Sequence, residues 1–144
     1  MIEINNLSRC VLNKKTFSTV AKKVLLGENR TRENISLAFV NTREIKKLNK
    51  KFRKKNKPTD VLSFDLKESL GSAQDGKKYL GEIIICPEIV RANAKKYGVP
   101  IKKEMLKVFI HGILHLCGYD HEGSEKKTQE MEKKQEKYLS KSLI

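Results

Sequence analysis

Apolar residues change their spacing several times along the chain, and each change marks an element. Ile2 and Ile4 alternate with polar neighbours ahead of Leu7, the period of a short strand. Phe17, Val20, Ala21, Val24 and Leu25 then recur at helical spacing over 17–26. The run ISLAFV at 35–40 reads as a buried strand. Asn41 is placed to cap a helix at 42–52, with Glu44 in capping-box position and Ile45, Leu48 and Phe52 on the inner face. Lys57-Pro58-Thr59-Asp60 is turn chemistry and leads into a strand at VLSF, 61–64. YLGEIIIC at 79–86 gives another strand, and Pro87 suits the first turn of a helix over 88–97.

Between the strands at 61–64 and 79–86, the stretch KESLGSAQDGKK offers few residues able to pack and reads as a mobile surface loop. The most apolar helix follows Gly98 and Pro100. Over 101–117, Ile101, Met105, Phe109, Ile110, Ile113, Leu114 and Leu116 cover most of its circumference, which predicts a central, buried position. Gly118 is placed to stop it. Ser124 can cap a last helix through Leu139, whose four Glu and five Lys between 125 and 137 make a solvated face. About four strands and about five helices without a repeat or linker predict one α/β (α+β) domain over 1–144.

Composition narrows the class. A chain of 144 residues and 16.6 kDa has room for one real core, and 6% aromatics without Trp make that core aliphatic. The opening MIEINNLSRC lacks the apolar stretch of a secretory signal, and no run reaches the ~20 residues of a membrane span. Cys10, Cys86 and Cys117 are odd in number and widely spaced, which suits a reducing compartment. A cytoplasmic protein with no membrane association is expected. The net charge of +14 points to an anionic partner.

All three histidines fall in one segment, His111-Gly-Ile-Leu-His115-Leu-Cys-Gly-Tyr-Asp-His121. Residues four apart stand one above the other on a helix face, so His111 and His115 can converge on one cation. Gly118 permits the left-handed conformation that turns the chain back and brings His121 to the same point. Three neutral nitrogen ligands plus an open position are the pattern of a catalytic zinc site. Cys117 lies about 200° round the axis from His115 and is expected in the core instead. The arrangement is close to HExxHxxGxxH, but Gly112 stands where zinc proteases carry their general-base Glu.

This segment closely resembles the YbeY family of bacterial rRNA-maturation endoribonucleases, whose signature HGxLHLxGYDH is matched by HGILHLCGYDH at 111–121. FRKKNKPTDVLSF at 52–64 is similar to the family's other hallmark, and GEIIIC at 81–86 resembles its GDIxI strand. The departures are Glu82 for the commoner Asp, Cys86 for a more usual Ser, and the polar stretch 66–78. The resemblance implies a mixed sheet packed by helices around a metal-binding cleft. It also implies His111, His115 and His121 as ligands of one Zn2+ and as catalytic residues, with Arg53 as a catalytic arginine beside them. No nucleotide cofactor is expected.

Eight of the twelve residues from Lys46 to Lys57 are Lys or Arg and none is acidic. With the resemblance, this segment reads as a track for an RNA backbone, with a merely solvated helix face as the alternative. No row of aromatics accompanies it, so contacts should be mainly to phosphates. Asp60 and Glu82 are candidates for proton handling or for supporting a ligand. Asp120 is expected to shape the turn or orient a histidine, and Thr59 and Ser63 read as turn and strand residues.

The implied function is single-strand-specific, metal-dependent RNA cleavage in 16S rRNA 3′-end maturation and late ribosome quality control. Its partners would be single-stranded RNA, rRNA precursor and the small ribosomal subunit. Attack on phosphorus by a metal-activated water or by the RNA's own 2′-hydroxyl both remain open. Two other readings stand beside it: a non-catalytic, zinc-containing ribosome-associated RNA-binding module, and a metal-dependent hydrolase of peptides or small molecules, disfavoured by Gly112 and the charge.

Overall fold

Side-chain caps set where three of the described helices begin. The computed structural model describes residues 2–65, 79–119 and 124–143. Its elements run β1 (Ile2–Asn6), α1 (Lys14–Gly27), β2 (Asn34–Phe39), α2 (Thr42–Arg53), β3 (Val61–Asp65), β4 (Tyr79–Ile85), α3 (Pro87–Tyr97), α4 (Ile101–Leu116) and α5 (Glu125–Ser142). Asn13 caps α1, accepting from the backbone of Lys15 and Thr16, and so starts it earlier than its apolar spacing indicates. The expected caps form: Asn41 Oδ1 accepts from Glu44 N at 2.9 Å, and Ser124 Oγ from Lys127 N at 3.1 Å. Each satisfies a backbone donor that the helix itself leaves open.

The sheet order is β1-β2-β4-β3, with β1, β2 and β4 parallel and β3 antiparallel to β4. This is the mixed, four-stranded α/β arrangement with five helices that was expected. The sheet explains the three consecutive isoleucines of β4. Ile83 and Ile85 point into the main core with α1, α4 and α5, while Ile84 packs on the opposite face beside Val40, Ile45, Leu62 and Phe64. A strand covered on both faces needs no alternation. β2 differs from its expected reading, since Ile35, Leu37 and Phe39 are buried while Ser36 and Ala38 are not. Leu7, just beyond β1, is 71% exposed.

Helix α4 is the centre of the main core, as its composition predicts, with Phe109, Ile110, Ile113 and Leu114 fully enclosed. Ile101 departs from that expectation and stays 47% exposed at the helix start. Close approach to the sheet rests on Gly112. A Cβ there would lie 3.1 Å from Ile83 Cγ2 and 3.2 Å from Ser63 Oγ. The missing side chain thus lets α4 settle on β3 and β4, and it sets the two flanking histidines beside the outer edge of β3. Among the described residues, no helix is long and apolar enough to cross a membrane. The loop expected at 67–78 lies outside them.

Candidate functional site

Helix α2 ends with Lys54 in the left-handed conformation, φ 62°, which folds the chain back toward β3. Asn49, 3% exposed, holds that return: its Nδ2 donates to the carbonyl of Lys57 at 2.9 Å. A buried amide with such a bond is a fixed point, because leaving it unpaired is costly. Arg53 then reaches the outer edge of β3. Its Nη2 donates to the carbonyl of Ser63 at 2.7 Å, and its guanidinium lies 4.9 Å from the centre of the Phe64 ring. Arg53 is therefore the member of the basic segment whose head group is held by the sheet.

From the other side, α4 presents His111 and His115, with ring centroids 4.5 Å apart and their Nε2 atoms separated by 2.9 Å. His111 Nδ1 meets Gln135 Oε1 of α5 at 2.7 Å. An amide oxygen only accepts, so Nδ1 carries the proton and the Nε2 lone pair of His111 faces its neighbour. The Nε2 atom of His115 stands opposite it. Two nitrogens so close fit two corners of a tetrahedral cation with bonds of about 2.0–2.1 Å, which are roughly 3.3 Å apart. The donor set and its outer support thus suit a metal. His121 and Asp120 lie outside the described residues, among which no group of three or more metal-binding side chains occurs.

Between these two banks runs a cleft of about 630 Å³, lined by Asn49, Arg53, Lys55, Lys57, Asp60, Ser63, Asp65, His111 and His115 among others. The structure places Arg53, which the family resemblance singles out, in one cleft with His111 and His115. Of the eight basic residues between 46 and 57, only Arg53, Lys55 and Lys57 line it. Asp60 lines it as well, with Oδ1 accepting from Thr59 Oγ1 at 3.3 Å. Glu82 does not line it, standing on the β4 face opposite Ile83. Ser63 does more than the strand role expected of it, since its carbonyl anchors Arg53 and its Oγ contacts the Gly112 carbonyl at 3.5 Å.

Cys117 caps α4 and lines a different hollow, with Glu28, Arg30 and Tyr119. Burial pushes its thiol up to about 11, so it stays protonated near neutrality and is a poor metal ligand. It packs against the main core, as expected. Gly118 adopts φ 100°, the turn its position predicts. Beyond it, Tyr119 Oη donates to Glu28 Oε1 at 2.7 Å, while Tyr138 and Lys134 of α5 bind the other oxygen. This carboxylate ties the end of α1 to α5 and to the segment leading toward His121.

The family described as Endoribonuclease YbeY matches residues 3–142. The chain belongs to the YbeY family. A relative from Thermotoga petrophila named Endoribonuclease YbeY is 46% identical over 106 residues, covering 74% of this chain and 65% of the relative. One from a Sulfurihydrogenibium species with the same name is 36% identical over 130 residues, covering 90% and 84%. The matched stretch thus spans just under two thirds of the Thermotoga relatives' length. A solution structure from Thermotoga maritima, 35% identical, superposes with a TM-score of 0.69 over 99% of this chain and 89% of that one. Within this YbeY chain, Asn49, Gln135 and Glu28 are the site's unforeseen supports. Only Asn49 left a sequence signal, a polar residue on the apolar side of α2.

Proposed function

We propose that this chain is a metal-dependent endoribonuclease that cuts single-stranded RNA, acting in the cytoplasm on rRNA precursor and the small ribosomal subunit in 16S 3′-end maturation and late quality control. Family membership supports RNA cleavage. The observation that carries the reading is the convergence of His111 and His115 on a cleft whose other bank holds Arg53 against β3. RNA maturation and ribosome association rest on the family resemblance and on the basic cleft rim.

A divalent cation such as zinc, held by His111, His115 and the proposed third ligand His121, would supply Lewis acidity toward a phosphodiester oxygen and a water of lowered pKa. Gln135 keeps the proton on His111 Nδ1 and thereby the ligand nitrogen aimed into the cleft. Arg53, fixed by Ser63 and Phe64, donates to the non-bridging oxygens and offsets charge as the phosphorus centre becomes pentacoordinate. Lys55 and Lys57 bind neighbouring phosphates on the rim. Neutral imidazoles leave the cation's charge undiminished toward an anionic substrate.

The test combines metal analysis with cleavage of a single-stranded RNA by wild type, Arg53→Glu and His115→Ala. One bound metal and cutting lost in both variants is the expected result. Cutting that survives both substitutions rejects the enzyme reading, and intact RNA with metal-loaded wild type favours a binding module. A strand with one 2′-deoxy sugar at the cut site separates the nucleophiles, since cutting there eliminates attack by the 2′-hydroxyl.

A further inference from the structure

A second hollow of about 330 Å³ opens on the far side of His111 and shares Asp60, Val61 and His111 with the catalytic cleft. The two are therefore successive stations along one groove that meet at His111, with His115 on the wall of the first. Their charge differs. The first carries Arg53, Lys55 and Lys57 against Asp60 and Asp65, whereas the second carries Asp60, Glu104 and Glu132 against Lys107 alone. In a chain of net charge +14 this is a local reversal. A phosphate would be repelled there, so whatever part of a strand enters must be neutral and rich in donors.

Glu104 decides what kind of donor. It is 5% exposed, yet its side chain makes no hydrogen bond among the described residues and its nearest cation, Lys107 Nζ, stands 4.0 Å away. A position in the first turn of α4 favours a negative charge but satisfies none of its lone pairs. A buried acceptor in this state is open to a ligand donor. Asp60 and Glu132 do not join it in a cluster able to hold a metal. Tyr97 lines the same hollow and leaves 58% of its surface exposed, the placement of a stacking platform.

We infer that this hollow is a nucleobase subsite that takes the base next to the phosphate bound in the basic cleft, stacking it on Tyr97 and reading its exocyclic amino group with Glu104. Cytosine, through N4–H2, and adenine, through N6–H2, present the required donor, whereas uracil presents an oxygen acceptor at the corresponding place. The chain thereby discriminates among bases at one position while the Lys rim binds phosphates without regard to sequence. The inference rests on the RNA substrate proposed above, but not on cleavage.

Fluorescence anisotropy in the cold with labelled pentacytidylate and pentauridylate tests it on the metal-loaded protein, with cleavage of a mixed single strand measured in parallel. Wild type should bind pentacytidylate about fivefold more tightly, the share of one charge-assisted base contact. Glu104→Gln, nearly isosteric, should remove that preference. Tyr97→Ala, at an exposed position that cannot unfold the domain, should weaken both strands about tenfold. Equal binding of the two strands by wild type, a preference unchanged in Glu104→Gln, or full affinity in Tyr97→Ala overturns the subsite. Base-dependent binding without any cleavage leaves the subsite standing and rejects the enzyme. Absence of binding to either strand rejects both.

Discussion

Gln135 Oε1 lies 2.7 Å from His111 Nδ1, so α5 dictates which nitrogen of a helix α4 imidazole carries its proton. Truncating Gln135 to Ala leaves that ring free to rotate and to change tautomer. We expect metal affinity to fall by about 10–100-fold, the usual effect of losing a partner behind a ligand histidine. Gln135→Glu, which keeps an acceptor at the same reach, should restore most of it. Competition with a calibrated chelator measures both, and equal affinity in all three proteins would dismiss the role.

Asn49 is the corresponding fixed point on the opposite bank. Its buried amide holds the Lys57 carbonyl, and with it the rim that bears Lys55 and Lys57. Asn49→Ala should lower stability by about 1–3 kcal/mol, because the carbonyl loses its partner and a cavity opens. RNA affinity should fall with it, even though no charge is removed. Urea denaturation and anisotropy report the two effects separately.

What could be read from the chain without its fold follows the range of each interaction. Asn41 with Glu44, Ser124 with Lys127, and Pro87 at the start of α3 are local devices, and local patterns disclose them. His111 and His115 are one turn apart, so helical geometry alone brings them together. Gln135 is 24 residues from His111, and only the packing of α5 on α4 delivers it. Arg53 is similar: charge does not distinguish it from its lysine neighbours, and resemblance singled it out. The physical distinction is the carbonyl of Ser63 and the ring of Phe64, which become available once β3 pairs with β4 as an outer strand.

Glu28 makes stability depend on pH. Burial alone would raise its pKa, but the hydroxyls of Tyr138 and Tyr119 and the ammonium of Lys134 outweigh burial and hold it below the ordinary 4.5. A carboxyl depressed in the folded state stabilises the fold above its unfolded pKa and loses that contribution as pH falls through the folded one. Thermal stability should therefore decline as pH drops below about 4.5. Glu28→Gln should start lower at neutral pH, by about 1–3 kcal/mol, with a shallower acid limb. Parallel acid limbs for the two proteins would show that Glu28 does not set this dependence.

Gly112 is a matter of space. An added Cβ would press on Ile83 Cγ2 at 3.1 Å and Ser63 Oγ at 3.2 Å. For Gly112→Ala, the gain of about 1 kcal/mol in helix propensity offsets much of that crowding. Gly112→Val adds two methyl groups against the same neighbours and should cost about 2–3 kcal/mol. Because α4 must then lift from β3, cleavage should fall further than stability alone explains. Denaturation curves and activity of the folded fraction check the order glycine, alanine, valine.

Arg53 and Lys57 line the same cleft but should fail in different ways when changed. Lys57→Ala removes one positive charge from the cleft rim. It should weaken RNA binding alike for all sequences and reduce the salt dependence by about one unit of slope, leaving the rate at saturation nearly unaltered. Arg53→Lys keeps the charge but loses the planar fork that Ser63 and Phe64 hold in place. If Arg53 meets the phosphorus centre during reaction, kcat should drop by about 100-fold with little change in KM. Single-turnover kinetics across a salt series separates these outcomes. A rise in KM alone for Arg53→Lys would return Arg53 to the phosphate track with its lysine neighbours.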